Sequence, residues 1–140
     1  MKIALYQVDA FTDKLFYGNP AAICFLDEWL DDILMQKIAM ENNLSETAFV
    51  VKENDQFHIR WFTPIAEVAL CGHATLAAAH ILFTQHGYKK NVIIFNSKYS
   101  GILKVRNDGE YLTLVIQQRR PDTFPSKACL NPISHRNLFH

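Results

Sequence analysis

The side chain of Glu46 is the first group in the sequence that could do acid–base chemistry. It ends the polar stretch Glu41-Asn-Asn-Leu-Ser-Glu46 and opens a run of β-forming residues, so we expect it at the mouth of a strand. A carboxylate that is partly removed from water there can accept a proton from a substrate and return it. A solvent-facing glutamate at a loop–strand junction fits the same residues, which leave both interpretations open.

A second reactive cluster, Cys71-Gly72-His73, precedes a long apolar run. At a helix N-terminus several backbone N–H groups lack partners and the helix dipole is positive, so an anion such as a carboxylate could be held there. His73 could donate to a substrate or exchange a proton with it, and Cys71 could have a lowered thiol pKa. The structural alternative is a tight turn at Gly72 beside a buried, unreactive thiol.

The apolar run 74–83 predicts the element that positions these residues. Only Thr75 and His80 interrupt it. A helix that is apolar nearly all round belongs in a protein interior, and at about 1.5 Å per residue this one is too short to span a bilayer. Gly87 stands where a left-handed helix end is expected. We therefore predict a central buried helix whose N-terminus faces the reactive cluster.

Alternating apolar residues predict that most of the remaining chain forms a sheet. Strands are predicted over residues 2–11, 21–26, 46–52, 58–62, 92–96, 101–106 and 111–116. A first helix is predicted over 27–43, and Asn107-Asp108-Gly109 predicts a hairpin because Asp-Gly tolerates positive φ. About seven or eight strands and two helices make an α+β fold whose sheet curls, barrel-like, around the helix at 74–85.

The last twenty residues of the sequence are rich in proline. Three of the five prolines (Pro121, Pro125, Pro132) lie in the last twenty residues, and no strand or helix period runs between them. We therefore predict one domain over residues 1–120 and an irregular tail over 121–140.

Composition excludes several classes of function. The 140 residues include fourteen acidic and fourteen basic residues, with no basic run, which argues against a nucleic-acid or membrane-surface protein. The polar start and the lack of a membrane-length apolar run predict neither signal peptide nor membrane span. Three widely spaced cysteines are typical of free thiols in a reducing, cytoplasmic compartment. The six histidines have no metal-ligand spacing, so no metal site is expected.

Six motifs, in order and at matching spacings, resemble the N-terminal half of the phenazine-biosynthesis-like (PhzF-like) isomerase and epimerase family. They are Val8–Thr12, Gly18–Ala22, Glu41–Thr47, Arg60–Pro64, Glu67–Val68 and Leu70–Thr75. The resemblance implies a diaminopimelate-epimerase-like fold, in which two pseudo-symmetric halves each wrap a mixed sheet around a central helix. It implies an active site in the cleft between the halves.

The resemblance also implies roles for individual residues. Glu46 matches the family's catalytic acid–base glutamate, and Gly72 and His73 match the Gly-His pair of the substrate pocket. Asn19 and Ser45 lie in matching motifs near that pocket. The implied reaction is a proton shift on a small unsaturated carboxylic acid, without a cofactor. The chemistry of the imidazole leaves His73 as either a second acid–base group or a donor to the substrate. Backbone N–H groups of residues 72–74, Ala74 included, would stabilise the developing negative charge.

Two other hypotheses remain open beside the isomerase. Cys71-Gly72-His73 resembles the Cys-Gly-His of proline-racemase-like enzymes, in which a thiolate removes an α-proton and a second base replaces it on the opposite face. The other hypothesis is a non-catalytic ligand-binding or assembly module that keeps the fold after losing half of the site, a loss that would also impair an isomerase. Because the family's second half is not in this sequence, we expect a second copy to cover the cleft face in a homodimer.

Overall fold

One mixed β-sheet curls around a buried helix in the computed structural model, which describes residues 3–10, 19–117, 127–130 and 135–136. The helices are α1 (Asp32–Asn42) and α2 (Gly72–Thr84). The strands in the described residues are β1 (Ala4–Ala10), β2 (Asn19–Leu26), β3 (Glu46–Glu53), β4 (Gln56–Phe62), β5 (Glu67–Val68), β6 (Val92–Ser97), β7 (Gly101–Asn107), β8 (Leu112–Gln117), β9 (Lys127–Leu130) and β10 (His135–Arg136).

The order of the strands in the sheet follows from two helical crossovers. Neighbouring strands run β10-β1-β2-β3-β4-β6-β7-β8-β9, and β5 pairs with β4. The β2–β3 and β4–β6 pairs are parallel, and the other pairs are antiparallel. Because a parallel pair needs a crossover connection, α1 lies between β2 and β3 in the chain and α2 lies between β4 and β6.

Helix α2 is the centre of the main hydrophobic core. Residues 74–79, Ile81 and Leu82 are at most 2% exposed, and side chains from the inner face of the sheet surround them. Burying a single leucine or isoleucine side chain of this kind contributes about 1.5–3 kcal/mol. Gly87 has φ +64°, and the N–H of the next residue, Tyr88, donates to the Leu82 carbonyl. The predicted buried helix and α+β fold are therefore confirmed.

Helix α1 covers the opposite face of the same strands. Its buried residues Met35 and Ala39 pack on Cys24, Phe49 and Phe62. The neighbouring residues Ile23, Val50 and Trp61 belong to the inner core around α2. This alternation is what a strand buried on both faces requires, since successive side chains point to opposite sides.

Helix α1 is shorter than predicted. It begins at Asp32 and not at Asp27, with Asp31 in an extended conformation before it and Asn43 in the left-handed region at its end. The segment before the helix is held by tertiary contacts instead, because Leu30 and Trp29 pack on the outer cluster. Trp29 also lies against Arg60, 5.5 Å from ring centroid to guanidinium carbon.

The expectation of an irregular tail is wrong for the residues after 120 that the structure describes. Strand β9 pairs with β8, with Leu112 opposite Leu130, and β10 pairs with β1, with Val8 opposite His135. Both segments are too short to show an alternating pattern, and they become strands because two open sheet edges accept them. The boundary of the domain at residue 120 stays a prediction.

The predicted hairpin is confirmed. The hairpin between β7 and β8 forms at Asn107–Gly109, where Gly109 has φ +96° and its N–H donates to Asn107 Oδ1 over 2.9 Å. Neither helix in the described residues is long and apolar enough to cross a membrane.

The guanidinium of Arg60 joins three elements on the outer face. Its Nε and Nη2 donate to the two carboxylate oxygens of Glu67 on β5, at 2.7 and 2.8 Å. Its Nη1 donates to Asp32 Oδ1 at the start of α1, over 3.0 Å. Trp29 and Phe62 flank the guanidinium, and the Arg60 side chain is only 11% exposed. The paired geometry raises the pKa of Arg60 above its usual range, mainly through Glu67.

Replacing Arg60 with lysine should therefore destabilise the protein although the charge is kept. A lysine ammonium cannot reproduce the two-pronged bond to Glu67, so we expect the free energy of unfolding to fall by roughly 1–3 kcal/mol in denaturant titrations. Arg106→Lys, at an exposed position on β7, is the matched control and should change stability by less than about 0.5 kcal/mol. Equal effects of the two substitutions would contradict the role assigned to Arg60.

Candidate active site

The side chains of Glu46 and His73 meet where β3 and α2 begin. Glu46 is the first residue of β3 and His73 lies in the first turn of α2. Glu46 Oε2 is 2.8 Å from His73 Nε2, and the two side chains are 20% and 10% exposed. The fold thus brings together two residues that are 27 positions apart in the chain, in a setting mostly removed from water.

The contact between these residues is short but not well directed. Glu46 Oε2 is buried, and within the described part of the chain no donor meets the angular requirement for a hydrogen bond to it. The 2.8 Å approach of His73 Nε2 satisfies the distance requirement alone. A buried carboxylate oxygen in this state is energetically costly. It can take a proton, a donor from a ligand, or a cation.

Burial sets the protonation state of His73. It lowers the pKa of the imidazole, and the negative charge of Glu46, which acts in the opposite direction, offsets this only in part. The His73 imidazole is therefore neutral at neutral pH.

Cys71 is the residue immediately before α2, and its sulfur lies against the same histidine. Sγ is 3.3 Å from His73 Nδ1. Burial raises the pKa of the Cys71 thiol to about 12. The N–H groups of Ala74 and His73 at the helix end act in the opposite direction but are outweighed, and the charge of Glu46 adds to the rise. The expectation of a lowered thiol pKa at this helix end is wrong, because desolvation exceeds the effect of the amide donors.

A buried chain of hydrogen bonds fixes the start of α2. Trp61 Nε1 on β4 donates to Thr75 Oγ1 over 3.1 Å, and Thr75 Oγ1 donates to the Cys71 carbonyl over 2.7 Å. Trp61 is 1% exposed and Thr75 is fully buried. Neither residue stands in a sequence pattern that predicts this role. The one available signal was that Thr75 interrupts an otherwise apolar helix.

Gly72 does not need to be glycine for steric reasons. Its backbone lies outside the left-handed region, and an added Cβ would meet only Leu114 Cδ2, at an ordinary contact distance of 3.5 Å. The predicted tight turn therefore does not explain this residue.

The remaining predicted site residues are Ala74, Ser45 and Asn19. Ala74 contributes its backbone N–H at the helix end, while its side chain is buried in the core. Ser45 is exposed and directly precedes Glu46. Asn19 begins β2, opposite Ala10, and its side chain lies outside the described part of the structure. The structure brings the side chains of Glu46, Cys71 and His73 together.

Comparison with known proteins identifies the family. The sequence model of the phenazine biosynthesis-like proteins matches residues 8–130. An uncharacterized isomerase of Pseudomonas aeruginosa is 51% identical over 122 residues, 87% of this chain and 47% of the relative. A human phenazine biosynthesis-like domain-containing protein is 44% identical over 134 residues, 89% of this chain and 46% of the relative.

Solved structures agree on the fold. A phenazine biosynthesis protein of the PhzF family from Enterococcus faecalis superposes with a TM-score of 0.79 at 50% identity, over 82% of this chain and 44% of that one. A predicted epimerase from Pseudomonas aeruginosa gives a TM-score of 0.66 at 24% identity. The fold is thus the diaminopimelate-epimerase-like α+β type with a mixed, curled sheet. The chain belongs to the phenazine biosynthesis-like family and spans about half the length of the curated relatives it matches.

The hydroxyl of Thr75 should be important for stability. Thr75→Val leaves the Trp61 indole N–H buried without its acceptor, so we expect the free energy of unfolding to fall by about 1–3 kcal/mol. Thr84→Val is the matched control in the same helix. Thr84 Oγ1 also donates to the carbonyl four residues earlier, over 2.7 Å, but at the surface. A similar loss in both variants would mean that the Trp61–Thr75 bond contributes nothing specific.

The Cys71 thiol should react slowly with alkylating reagents. With a pKa of about 12 it is almost fully protonated at pH 7, so we expect modification about a hundredfold or more slower than for an exposed cysteine. Glu46→Gln removes a charge that raises this pKa and should accelerate modification of Cys71. Cys24, buried on the α1 side of the sheet, is the internal control and should not respond. Site-resolved mass spectrometry measures both rates, and rapid modification of Cys71 in the wild type would refute the assignment.

Proposed function

We propose that this chain carries the acid–base centre of a cofactor-independent isomerase that shifts a proton on a small unsaturated carboxylic acid. The observation that carries the proposal is the 2.8 Å approach of Glu46 to His73 at the N-terminus of α2. Membership of a family in which several relatives are named isomerases supports the reaction class.

The geometry supports a single-base mechanism. The Glu46 carboxylate removes a proton from a carbon next to the unsaturated acid, and the C–H electron pair enters the conjugated system as an enolate-like anion. The glutamic acid then returns the proton to a second carbon on the same face, which shifts the double bond and restores the carboxylate. Neutral His73 lies directly beside the Glu46 carboxylate, 2.8 Å from Oε2, where it can donate once the side chains align. Backbone N–H groups at the start of α2 stabilise the negative charge of the intermediate.

The racemase alternative is less well supported. It needs a thiolate at Cys71 and a second base on the opposite face of the substrate. The Cys71 thiol has a pKa of about 12. Cys24, the other cysteine whose side chain is described, lies in the outer cluster on the far side of the sheet. Among the described side chains, the carboxylate of Glu46 is the better base for the reaction.

Substitution of Glu46 tests the mechanism. In D₂O, with small unsaturated carboxylic acids as candidate substrates, we expect Glu46→Gln to slow deuterium incorporation by about a hundredfold or more. Glu41→Gln, an exposed glutamate on α1, is the matched control and should exchange at the wild-type rate. Cys71→Ser should retain most of the activity.

Other results would redirect the assignment. Full loss of exchange in Cys71→Ser with an unaffected Glu46→Gln would support the racemase. Binding of small carboxylates without exchange in any protein would support the non-catalytic module.

We also infer a homodimer through the face that carries the site. Leu70, directly before Cys71, is 38% exposed, and Ile65 is 89% exposed. Ile65 sits in a fixed turn, because the N–H groups of Ile65 and Ala66 both donate to Thr63 Oγ1. Apolar side chains held in water in this way favour association. A second copy is the partner to which the pseudo-two-fold symmetry of the family resemblance points.

Light scattering tests this assembly. We expect a mass of twice the 16.1 kDa of one chain at micromolar concentration, with an interface of roughly 1,200–2,000 Å². Leu70→Glu should shift the equilibrium towards monomer. Ile33→Glu, at an exposed apolar position on α1, is the control and should not. A wild-type monomer would refute the inference.

The expected cytoplasmic location is likewise a proposal. Cys24 and Cys71 are free thiols, which suits a reducing compartment.

A further inference from the structure

Three different metal-ligating groups converge at the start of α2. Glu46, Cys71 and His73 each offer one ligand atom, and these atoms all lie within 4.8 Å of one another. They come from two separate parts of the fold: Glu46 is the first residue of β3, Cys71 immediately precedes α2, and His73 lies in its first turn. The buried Glu46 Oε2 lacks an aligned hydrogen-bond donor among the described residues, and a cation at this position would satisfy it.

We propose that Glu46, Cys71 and His73 form a binding site for a borderline-soft divalent cation such as Zn²⁺. A site that combines carboxylate oxygen, thiolate sulfur and imidazole nitrogen suits zinc. Magnesium and calcium prefer oxygen ligands throughout. Binding of the cation does not depend on the proposed isomerase activity.

The three ligand atoms must move by about 1 Å or less to reach the geometry of a zinc site. In a tetrahedral zinc site with ordinary bond lengths, the ligand atoms lie about 3.4–3.6 Å apart. His73 Nε2 is 2.8 Å from Glu46 Oε2 and 4.0 Å from Cys71 Sγ. The first distance must lengthen and the second shorten by roughly half an ångström each. The ligand atoms of Glu46 and Cys71 lie within 4.8 Å of each other, so their separation must shorten by at most about 1.2 Å. The fourth position can be taken by water, because Glu46 is 20% exposed.

The charges also balance. The positive end of the α2 dipole disfavours an isolated cation. Two anionic ligands, the Glu46 carboxylate and a Cys71 thiolate, make the complex with a divalent ion neutral. A bound metal deprotonates a ligating thiol outright, and the N–H groups of His73 and Ala74 face the resulting thiolate. The backbone N–H groups of the helix end therefore stabilise the negative charge of the sulfur, and the three ligands stabilise the positive charge of the metal.

The cation would change the chemistry of the site. Glu46 bound to zinc could not act as a free base, so the metal should inhibit the proposed proton shift. This consequence, unlike the binding, rests on the proposed function.

Cobalt titration of the reduced, metal-free full chain tests the site. Co²⁺ bound to a thiolate gives an intense near-ultraviolet charge-transfer band, which we expect in the wild type and which Zn²⁺ should displace. The band should persist in Cys24→Ser and Cys129→Ser and disappear in Cys71→Ser. Glu46→Gln should keep the band but weaken cobalt affinity at least about tenfold, whereas Glu41→Gln should not. Circular dichroism of each variant confirms folding.

Two results would overturn the proposal: no charge-transfer band in the wild type, or a band that survives Cys71→Ser. Deuterium exchange with and without Zn²⁺ separates the two proposals. A cobalt band in a protein that exchanges no deuterium when metal-free supports the cation site and refutes the isomerase. Exchange without a cobalt band refutes the cation site and leaves the isomerase intact.

Discussion

The burial of α2 is the constraint on which the rest of this structure depends. A helix surrounded by protein must still satisfy the backbone groups at its ends. At its N-terminus in this chain the surroundings are the Cys71 sulfur, the Thr75 hydroxyl and the Glu46 carboxylate. The same packing that stabilises the core therefore places the free backbone N–H groups of the helix end and several titratable side chains at one mostly buried point. The candidate site is a consequence of how the core helix ends.

Desolvation decides the chemistry at that point. It keeps the Cys71 thiol protonated, although the N–H groups of the helix end lower the pKa of that thiol. It also keeps the His73 imidazole neutral, although the charge of Glu46 raises the pKa of the imidazole. Glu46 is the acidic side chain that lies against both groups. The same desolvation leaves one of its oxygens buried without an aligned donor in the described structure. A proton, a donor group of a substrate or a divalent cation could each provide the partner that this buried oxygen lacks.

Strand β4 is connected to different elements on the two faces of the sheet. On the inner face, Trp61 and Thr75 tie β4 to the start of α2. On the outer face, Arg60 ties the same strand to α1 and β5. Because Arg60 and Trp61 are consecutive residues on β4, this strand connects the outer ion-pair cluster to the inner helix. The position of His73 relative to Glu46 therefore depends on contacts on both faces.

Local patterns in the sequence were sufficient to predict the main elements. The apolar run that became α2, the Asp-Gly hairpin and most strands depend on periodicity and turn chemistry within a few residues. The six ordered motifs predicted the family, which the comparisons confirm. The roles of Glu46 and Gly72–His73 implied by the family remain predictions.

Tertiary structure alone decided the features that depend on distant residues. Strands β9 and β10 exist because sheet edges accept them, and α1 begins at Asp32 because Trp29 and Leu30 pack against the sheet. The direction of the Cys71 pKa shift reflects burial, which no neighbouring residue in the sequence reports. The three possible metal ligands show no motif spacing, since Glu46 is 25 residues before Cys71 in the chain. Only folding of β3 against α2 brings their ligand atoms within 4.8 Å.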